Sequence, residues 1–325
     1  MEEKKKTARE IIEGYDGPPV RIMEVCGTHT HEIFRLGIRK LLPEQVELIS
    51  GPGCPVCVTQ VGFIDEAIYL ALERQVTICT FGDLVRVPGT NMSLAGARER
   101  GAKIRIVYSP VDAKEYAKEH PKEQVTFLSV GFETTTPSAC LSVKKAREEG
   151  LTNYSILTAN KTMPQAYEAL KGSADIFLYP GHVNAITGTK LCEELAKEGV
   201  SGVVAGFTAK ELLTALAVAL ARFQEGRPFF VNCYPRVVTE NGSPQAQKLV
   251  EEMMEPCDSE WRGLGVIKGS GMRLQEEWSA FDARKKYKIP PIQGKANPAC
   301  RCGDVLQGKC KPSDCKVFGK VCTPQ

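Results

Sequence analysis

The sequence contains no apolar run long enough to cross a membrane. The longest run, at 212–221, is interrupted by Thr214 and flanked by Lys210 and Arg222. It is far shorter than the ~20 apolar residues that a membrane-spanning helix needs. The N-terminus, Met1-Glu2-Glu3-Lys4, is charged where a secretory signal would lead into an apolar segment. We therefore expect a cytoplasmic protein with no membrane partner.

Neither sign of charge dominates the chain. The 42 basic and 39 acidic residues give a formal net charge of +3, and the three lysines at 4–6 are typical of a solvated terminus. No basic face interleaved with aromatic residues is present, which argues against a nucleic-acid partner. A hydrophobic content of 42% over 325 residues is ordinary for a soluble globular protein of two or three domains.

Histidine is scarce and cysteine is abundant. Two of the four histidines, His29 and His31, lie just after Cys26, one of thirteen cysteines. Cytosolic thiols stay reduced unless they bind metal or take part in redox chemistry. The grouped cysteines therefore indicate metal or redox chemistry rather than a disulfide scaffold.

Short β-branched runs alternate with helical stretches, which is typical of parallel sheets covered by helices. Two similar units of this kind follow one another, and a region rich in Gly, Pro and Cys comes after them. We predict an α/β protein with two similar α/β domains, each with a parallel sheet, plus a C-terminal cysteine-rich iron–sulfur domain. The predicted boundaries are 1–120, 121–226 and 227–325, with the first link in the polar stretch 112–123.

Cys26 follows a predicted strand, at 20–25, and precedes a predicted helix. Exposed N–H groups and the dipole of a helix N-terminus favour a thiolate, which is both a nucleophile and a metal ligand. His29 and His31 offer imidazole ligands, proton transfer or a capping role. A functional role is favoured over a structural one, although the cluster is too short to close a zinc site by itself.

Cys54 and Cys57 form a C-x-x-C element that follows Gly51-Pro52-Gly53. In thioredoxin-like proteins this spacing opens a helix and activates the first thiol. A redox dithiol is the favoured interpretation, and half of a metal site or a structural pair are the alternatives. Because ligands gather at the carboxyl ends of parallel strands, this loop and the Cys26 turn should lie close together.

The tail holds five cysteines: Cys300, Cys302, Cys310, Cys315 and Cys322. Four thiolates can hold a [4Fe–4S] cluster or zinc. The irregular spacing favours iron–sulfur over zinc, and a disulfide pair is the remaining alternative.

Glu133 and His182 each follow a predicted strand, in Gly131-Phe132-Glu133-Thr134-Thr135 and Pro180-Gly181-His182-Val183. The first segment does not match a P-loop, so nucleotide hydrolysis is poorly supported. Glu133 is either a helix-capping acid or a site carboxylate, and His182 alone favours a structural role. Together with Asp83, which also ends a strand, they suggest a shared cleft.

These motifs together resemble the HypD family of hydrogenase maturation proteins, over nearly the whole chain. The resemblance rests on the joint order of five segments: Cys26-Gly27-Thr28-His29-Thr30-His31, the Gly-Pro-Gly-Cys-Pro-Val-Cys-Val segment at 51–58, Gly131-Phe132-Glu133-Thr134-Thr135, Pro180-Gly181-His182-Val183 and Cys300-Arg301-Cys302-Gly303. Chains of this family usually continue past the Cys322-Thr323-Pro324 element to another cysteine, so we expect the cluster domain here to be shortened.

The resemblance implies a scaffold on which the Fe(CN)₂CO unit of [NiFe]-hydrogenases is assembled, rather than a conventional turnover enzyme. HypC would share the iron, and HypE and HypF would deliver cyanide. Cys26 would bind the iron, and Cys54 and Cys57 would form a redox dithiol beside it. His29, Glu133 and His182 would line the cleft.

The resemblance also implies a [4Fe–4S] cluster in the tail. We expect Cys300 or Cys302, together with Cys315 and Cys322, to ligate it, and Cys310 to be spare. Two alternatives from other functional classes are a thioredoxin-like thiol–disulfide oxidoreductase and a zinc-stabilised binding module.

Overall fold

A computed structural model of the chain describes residues 6–320, 322 and 323. The strands of the described residues are β1 Val20–Glu24, β2 Val46–Ser50, β3 Thr77–Thr80, β4 Ile104–Ile106, β5 Val125–Gly131, β6 Tyr154–Asn160, β7 Ile176–Pro180, β8 Ser201–Ala205, β9 Phe230–Asn232, β10 Met254–Trp261 and β11 Gly265–Leu274.

Helices alternate with these strands over most of the chain. They are α1 Ala8–Glu13, α2 Gly27–Arg35, α3 Val61–Glu73, α4 Leu94–Glu99, α5 Pro110–Glu119, α6 Thr136–Glu148, α7 Met163–Ala169, α8 Gly181–Thr187, α9 Lys190–Lys197, α10 Ala209–Phe223, α11 Pro244–Met253, α12 Ala283–Lys286 and α13 Cys302–Leu306. Short 3₁₀ turns lie at Ile38–Leu41, Gly82–Leu84, Glu276–Phe281 and Pro312–Asp314. Within the described part of the chain, none of the helices is both long enough and apolar enough to cross a membrane.

The first of two compact units contains a five-stranded parallel sheet in the order β2-β1-β7-β8-β9. The unit consists of the described residues up to Cys54, Tyr167–Pro244 and Gly303–Lys311. Helix α10 turns Leu212, Leu216 and Leu220 into its core, because residues four apart lie on one face of a helix. Because β1 pairs in parallel with both β2 and β7, the carboxyl ends of these three strands lie at one edge of the sheet.

The second unit contains a four-stranded parallel sheet in the order β4-β3-β5-β6, and the antiparallel hairpin β10-β11. Its residues are 55–166, 245–302 and the described ones from Pro312 onward. Strand β5 is buried along its whole length. Phe127 packs into one hydrophobic cluster and Leu128 into another, as expected for a central parallel strand covered on both faces.

The predicted parallel α/β sheets are confirmed, and the division of the chain differs from the three consecutive domains predicted at 1–120, 121–226 and 227–325. Strands β1 and β2 pair with β7–β9, whereas β3–β6 form the other sheet. Residues 227–325 are shared between both units. Local patterns locate strands, but the partner of a parallel strand lies far along the chain and leaves no local signature.

The predicted link at 112–123 is wrong over most of its length, because α5 occupies it. Ser109 and Asp112 form a capping box at the start of this helix, and Ala113 and Ala117 are buried on its inner face. Alanines four residues apart bury a narrow face and leave the rest of the helix polar. The polar composition that suggested a linker is therefore the solvated side of a packed helix.

Candidate functional site

Cys26 lies at the carboxyl end of β1, where it is the residue that precedes the first turn of α2. Its backbone is extended, with φ −155° and ψ 120°. Because β1 pairs in parallel with both β2 and β7, the segments that follow these three strands meet at the same edge of the sheet. Such edges are the usual ligand sites of open α/β sheets.

The loop after β2 lies directly against the Cys26 turn. The Gly27 N–H donates to the Gly53 carbonyl at 2.9 Å. A Cβ atom on Gly27 would lie 3.2 Å from Cβ of Cys54, and one on Gly53 would overlap the backbone of Val25 and Cys26. The two cysteine segments therefore lie close together, as the parallel strands predict. The close approach requires glycine at Gly53, since a side chain there has no room.

The Cys54 and Cys57 segment differs from that of a thioredoxin. Cys54 is half-buried and Cys57 is exposed. Helix α3 begins only at Val61, so neither cysteine lies in its first turn. The helix N-terminus that activates the first thiol of a thioredoxin is therefore not positioned to act on either sulfur.

His182 brings an imidazole to Cys26. It lies in the first turn of α8, directly after β7. The Sγ atom of Cys26 is 4.0 Å from both Nδ1 and Nε2 of His182. Partial burial lowers the pKa of His182, and an imidazole with a lowered pKa is neutral at neutral pH. A neutral imidazole next to a thiol can accept its proton.

His29 is fully buried one turn into α2. Its Nε2 donates to the Gly206 carbonyl at 3.0 Å, and its Nδ1 has no hydrogen-bond partner among the described residues. Burial lowers the pKa of His29 to about 4. This histidine is therefore neutral, and its unpartnered Nδ1 makes it an acceptor rather than a charged group.

The protonation state of Cys26 differs from the thiolate expected at a helix N-terminus. Cys26 is only 2% exposed. Burial raises the pKa of its thiol to about 11, and backbone hydrogen bonds from His29 and Thr28 offset only part of this rise. Desolvation outweighs the helix dipole because the dipole contributes only a modest stabilisation of charge. The resting thiol is protonated at neutral pH.

An ion pair that the sequence analysis missed lies under the Cys26 turn, between a buried carboxylate and a guanidinium side chain that is 43% exposed. The Glu24 side chain, at the end of β1, is completely buried, and its Oε1 accepts from Arg39 Nη2 at 2.6 Å and from Ser50 Oγ at 2.8 Å. Arg39 Nη1 also donates to the Leu48 carbonyl at 2.6 Å. The pair therefore ties the ends of β1 and β2 together. The sequence signal that could have revealed this pair was the charged residue Glu24 at the end of strand β1.

Glu133 belongs to the second unit, in the turn between β5 and α6. Its Oε1 accepts from the Met163 N–H at 2.8 Å, and its Oε2 is buried without a hydrogen-bond partner among the described residues. Burial raises the pKa of Glu133 to about 7. The carboxyl group thus exchanges its proton near neutral pH, which is typical of functional carboxylates.

This raised pKa predicts a pH-dependent stability. The unfolded chain ionises Glu133 near pH 4.5, whereas the folded protein keeps the proton until about pH 7. The contribution of Glu133 to the free energy of unfolding should therefore fall by up to about 3 kcal/mol as the pH rises through this window, while His29, with its lowered pKa, contributes in the opposite direction below about pH 6.5. Glu133→Gln, which stays neutral, should remove this fall and be the more stable protein at about pH 8.

Urea unfolding between about pH 4 and pH 8 measures the effect. Glu119→Gln, at an exposed position at the end of α5, is the matched control and should keep the wild-type pH dependence. If Glu133→Gln lost stability in parallel with the wild type, Glu133 would not be the group responsible.

Only some of the tail cysteines lie close to one another. The Sγ atoms of Cys300 and Cys302 are 3.2 Å apart. Burial raises the pKa of Cys302 to about 12, and the neighbouring Cys300 and Cys322 add to this rise. Cys315 Sγ lies 3.9 Å from the Ala299 carbonyl, and backbone hydrogen bonds from Val317 and Arg301 lower its pKa.

The arrangement of the tail does not fit a preformed four-thiolate site. Within residues 6–320, 322 and 323, no group of three or more His, Cys, Asp or Glu side chains is arranged to hold a metal ion. Cys310 belongs to the first unit, and the other four tail cysteines belong to the second. The cysteine-rich region is therefore present, while a [4Fe–4S] cluster in it stays a prediction.

The predicted site residues thus fall into two groups. Cys26, His29, Cys54 and His182 lie in the first unit, and Glu133 and Cys57 lie in the second.

The family model HypD, described as "Hydrogenase formation hypA family", matches residues 2–325. The chain belongs to the HypD family.

Curated relatives of similar length carry HypD names. The hydrogenase maturation factor HypD of Cupriavidus necator is 40% identical over 326 residues, covering 96% of this chain and 86% of that protein. The Escherichia coli K12 factor of the same name is 42% identical over 315 residues, with 94% and 84% covered. That of Rhizobium leguminosarum is 42% identical over 336 residues, with 98% and 87% covered.

Proposed function

We propose that this chain is a cytoplasmic scaffold of hydrogenase maturation. With HypC, it would hold iron while the Fe(CN)₂CO unit of [NiFe]-hydrogenase is assembled, and HypE and HypF would supply the cyanide groups. The names of its HypD relatives support the maturation role. The observation that carries the site assignment is the placement of Cys26 Sγ, 4.0 Å from the His182 imidazole and beside the Cys54 loop.

Cys26 is proposed to bind the iron that is the cargo of this reaction. Soft thiolates suit iron that carries cyanide and carbonyl groups, and metal binding releases the proton of a thiol ligand. The neutral His182 imidazole is the nearby group that can take this proton. His182 and Cys54, which lie beside the buried Cys26 sulfur, are only partly buried, and the proposal requires the iron to reach the sulfur from their side.

Cys54 and Cys57 are proposed to act as a redox dithiol next to the bound iron. Their oxidation to a disulfide would release two protons and two electrons, and these electrons are proposed to pass to the iron fragment that Cys26 holds. The contact between the Cys54 loop and the Cys26 turn supports this role. Glu133 is proposed as a further site residue, because its carboxyl group changes protonation near neutral pH.

A [4Fe–4S] cluster bound by Cys300 or Cys302 with Cys315 and Cys322 remains a separate proposal. The 3.2 Å approach of the Cys300 and Cys302 sulfurs supports it. The described residues do not form a complete ligand set, so none of the steps above depends on the cluster.

Infrared spectroscopy of the anaerobic complex with HypC tests the iron assignment. The wild-type complex should show cyanide and carbonyl stretching bands, and Cys26→Ala should abolish them because the thiolate ligand is lost. Cys257→Ala is the matched control, since Cys257 lies in the β10–β11 hairpin of the other unit. It should retain the bands. Unchanged bands in Cys26→Ala would remove Cys26 from the proposed role.

A further inference from the structure

Phe207 packs against both histidines of the Cys26 site. It follows β8, and its ring centroid lies 4.8 Å from that of His29 and 5.0 Å from that of His182. The interplanar angles are 33° and 34°. Aromatic rings attract one another at such separations. One phenyl ring therefore supports the two imidazoles that come from α2 and α8.

Phe207 is itself held in place by its backbone. Its N–H donates to Glu211 Oε2 at 3.0 Å, in the first turn of α10. The other carboxylate oxygen, Oε1, accepts from Arg236 Nε at 2.9 Å and Nη2 at 2.8 Å. Burial would raise the pKa of Glu211, but hydrogen bonds from Thr208 and Arg236 bring it down to about 2. The anchor of Phe207 is therefore a permanently ionised carboxylate.

A second aromatic ring packs against Phe207. Tyr234 meets the Phe207 ring edge-on, with centroids 6.3 Å apart at 88°. Gly206 makes the packing possible, because a Cβ atom there would lie 2.7 Å from the Tyr234 ring and would overlap the Glu211 carboxylate. The Gly206 carbonyl in turn accepts the hydrogen bond from His29. The segment 206–207 thus contacts His29 through one hydrogen bond and one ring.

The His29 imidazole makes one hydrogen bond among the described residues, from Nε2 to the Gly206 carbonyl, and its Nδ1 has no partner there. One hydrogen bond does not fix the plane of a ring, so the orientation of this buried imidazole depends on packing. The Phe207 ring is part of that packing. His182 shares the same phenyl ring and lies 4.0 Å from Cys26 Sγ.

We propose that Phe207 is a positioning residue of the Cys26 site, which fixes the two imidazoles relative to the Cys26 sulfur. It touches neither the sulfur nor the iron cargo in this role and acts through His29 and His182. The functional part of this inference rests on the proposed function, whereas the placement of the imidazoles can be measured without it.

Nuclear magnetic resonance of protein labelled with ¹³C-histidine tests the placement. The chain has only four histidines, and Phe207→Leu should shift the signals of His29 and His182 by more than the lost ring current of Phe207 accounts for, while those of His31 and His120 stay. Phe34→Leu, the same change at a residue that is 83% exposed on α2, is the matched control and should leave His29 and His182 unshifted. Shifts of His29 and His182 no larger than the lost ring current in a folded Phe207→Leu protein would overturn the proposal.

The functional arm uses the infrared bands of the HypC complex. Phe207→Leu should lower the iron affinity about 10- to 100-fold, which is the usual effect of removing the groups that orient metal ligands. Phe207→Tyr keeps the ring and should restore binding. Wild-type binding in Phe207→Leu, or no recovery in Phe207→Tyr, would overturn the proposal.

Two further outcomes distinguish a failure of the Phe207 proposal from a failure of the proposed function. If Phe207→Leu does not fold, Phe207→Met, a flexible apolar side chain, takes its place with the same expected shifts, and absent shifts again overturn the proposal. If Cys26→Ala retains its bands, the proposed function fails, and the functional arm fails with it. The histidine shifts would then still decide whether Phe207 positions the two imidazoles.

Discussion

Gly53→Ala is expected to destabilise the protein by about 3 kcal/mol or more, because overpacking at a site that cannot move has a large cost. The added Cβ would overlap backbone atoms of Val25 and Cys26, and a backbone cannot move aside as a flexible side chain does. The hydrogen bond between the Gly27 N–H and the Gly53 carbonyl would be lost as the loop shifts. We also expect loss of the infrared bands of the HypC complex, since Cys26 is displaced.

The free energy of unfolding in urea measures the stability change. Gly82→Ala is the matched control, because its Cβ would lie 3.6 Å from the nearest atom, an ordinary contact with Ile106. A Gly53→Ala protein as stable as this control would show that the two cysteine segments do not pack as closely as described.

Arg39→Met is expected to destabilise the protein by up to about 3 kcal/mol, the usual cost of leaving a buried acceptor without its hydrogen-bond partner. The Glu24 carboxylate is completely buried, so it would keep its desolvation penalty and lose its cation. Ser50 Oγ would still donate to it at 2.8 Å, but one hydroxyl does not replace a guanidinium. The methionine keeps the apolar stem of the arginine, which restricts the change to the charge and its hydrogen bonds.

Two further variants test the cause of this loss. Arg9→Met breaks an exposed ion pair with Glu13 and should change the free energy of unfolding by about 1 kcal/mol or less. Glu24→Gln combined with Arg39→Met should recover part of the loss, since no buried charge remains. If Arg39→Met were no worse than Arg9→Met, the Glu24–Arg39 pair would not hold the β1 and β2 ends together.

The sequence was sufficient to predict where Cys26 and the Cys54 loop lie, but not the protonation state of the Cys26 thiol. Cys26 was predicted at the end of a strand at 20–25, and the convergence of parallel-strand ends placed the Cys54 loop beside it. Both expectations are confirmed by the packing of Gly27 and Gly53. The pKa of Cys26 depends on desolvation by residues that are distant in the chain, such as His182. Local sequence carries no record of this burial.

The pairing of strands was also beyond local reasoning. The alternation of short strands and helices predicted parallel sheets, yet β2 and β3 are consecutive along the chain and belong to different sheets. The β10–β11 hairpin was not predicted, because the region that contains it was described only as rich in Gly, Pro and Cys. Its burial alternates along β10, and the period-2 signal was diluted by Pro256 and by the register shift between Cys257 and Ser259.

Phe207 shows a different limit. The sequence marked the end of β8 as a loop start but offered no reason to choose this phenylalanine among twelve. Its importance comes from the imidazoles of His29 and His182, which lie 178 and 25 positions before it in the chain (207 − 29 and 207 − 182). Both rings contact Phe207 only in the folded unit.

The strand order has a consequence for how the chain reaches its native state on the ribosome. Strands β3–β6, which form one complete sheet, leave the exit tunnel consecutively, between Thr77 and Asn160. Strands β1 and β2 emerge before them, yet β1 must await its neighbour β7, which begins at Ile176. Sheets closed by such distant pairings assemble slowly. The thiol that follows β1 is therefore translated early and enclosed late, after β7 has been made.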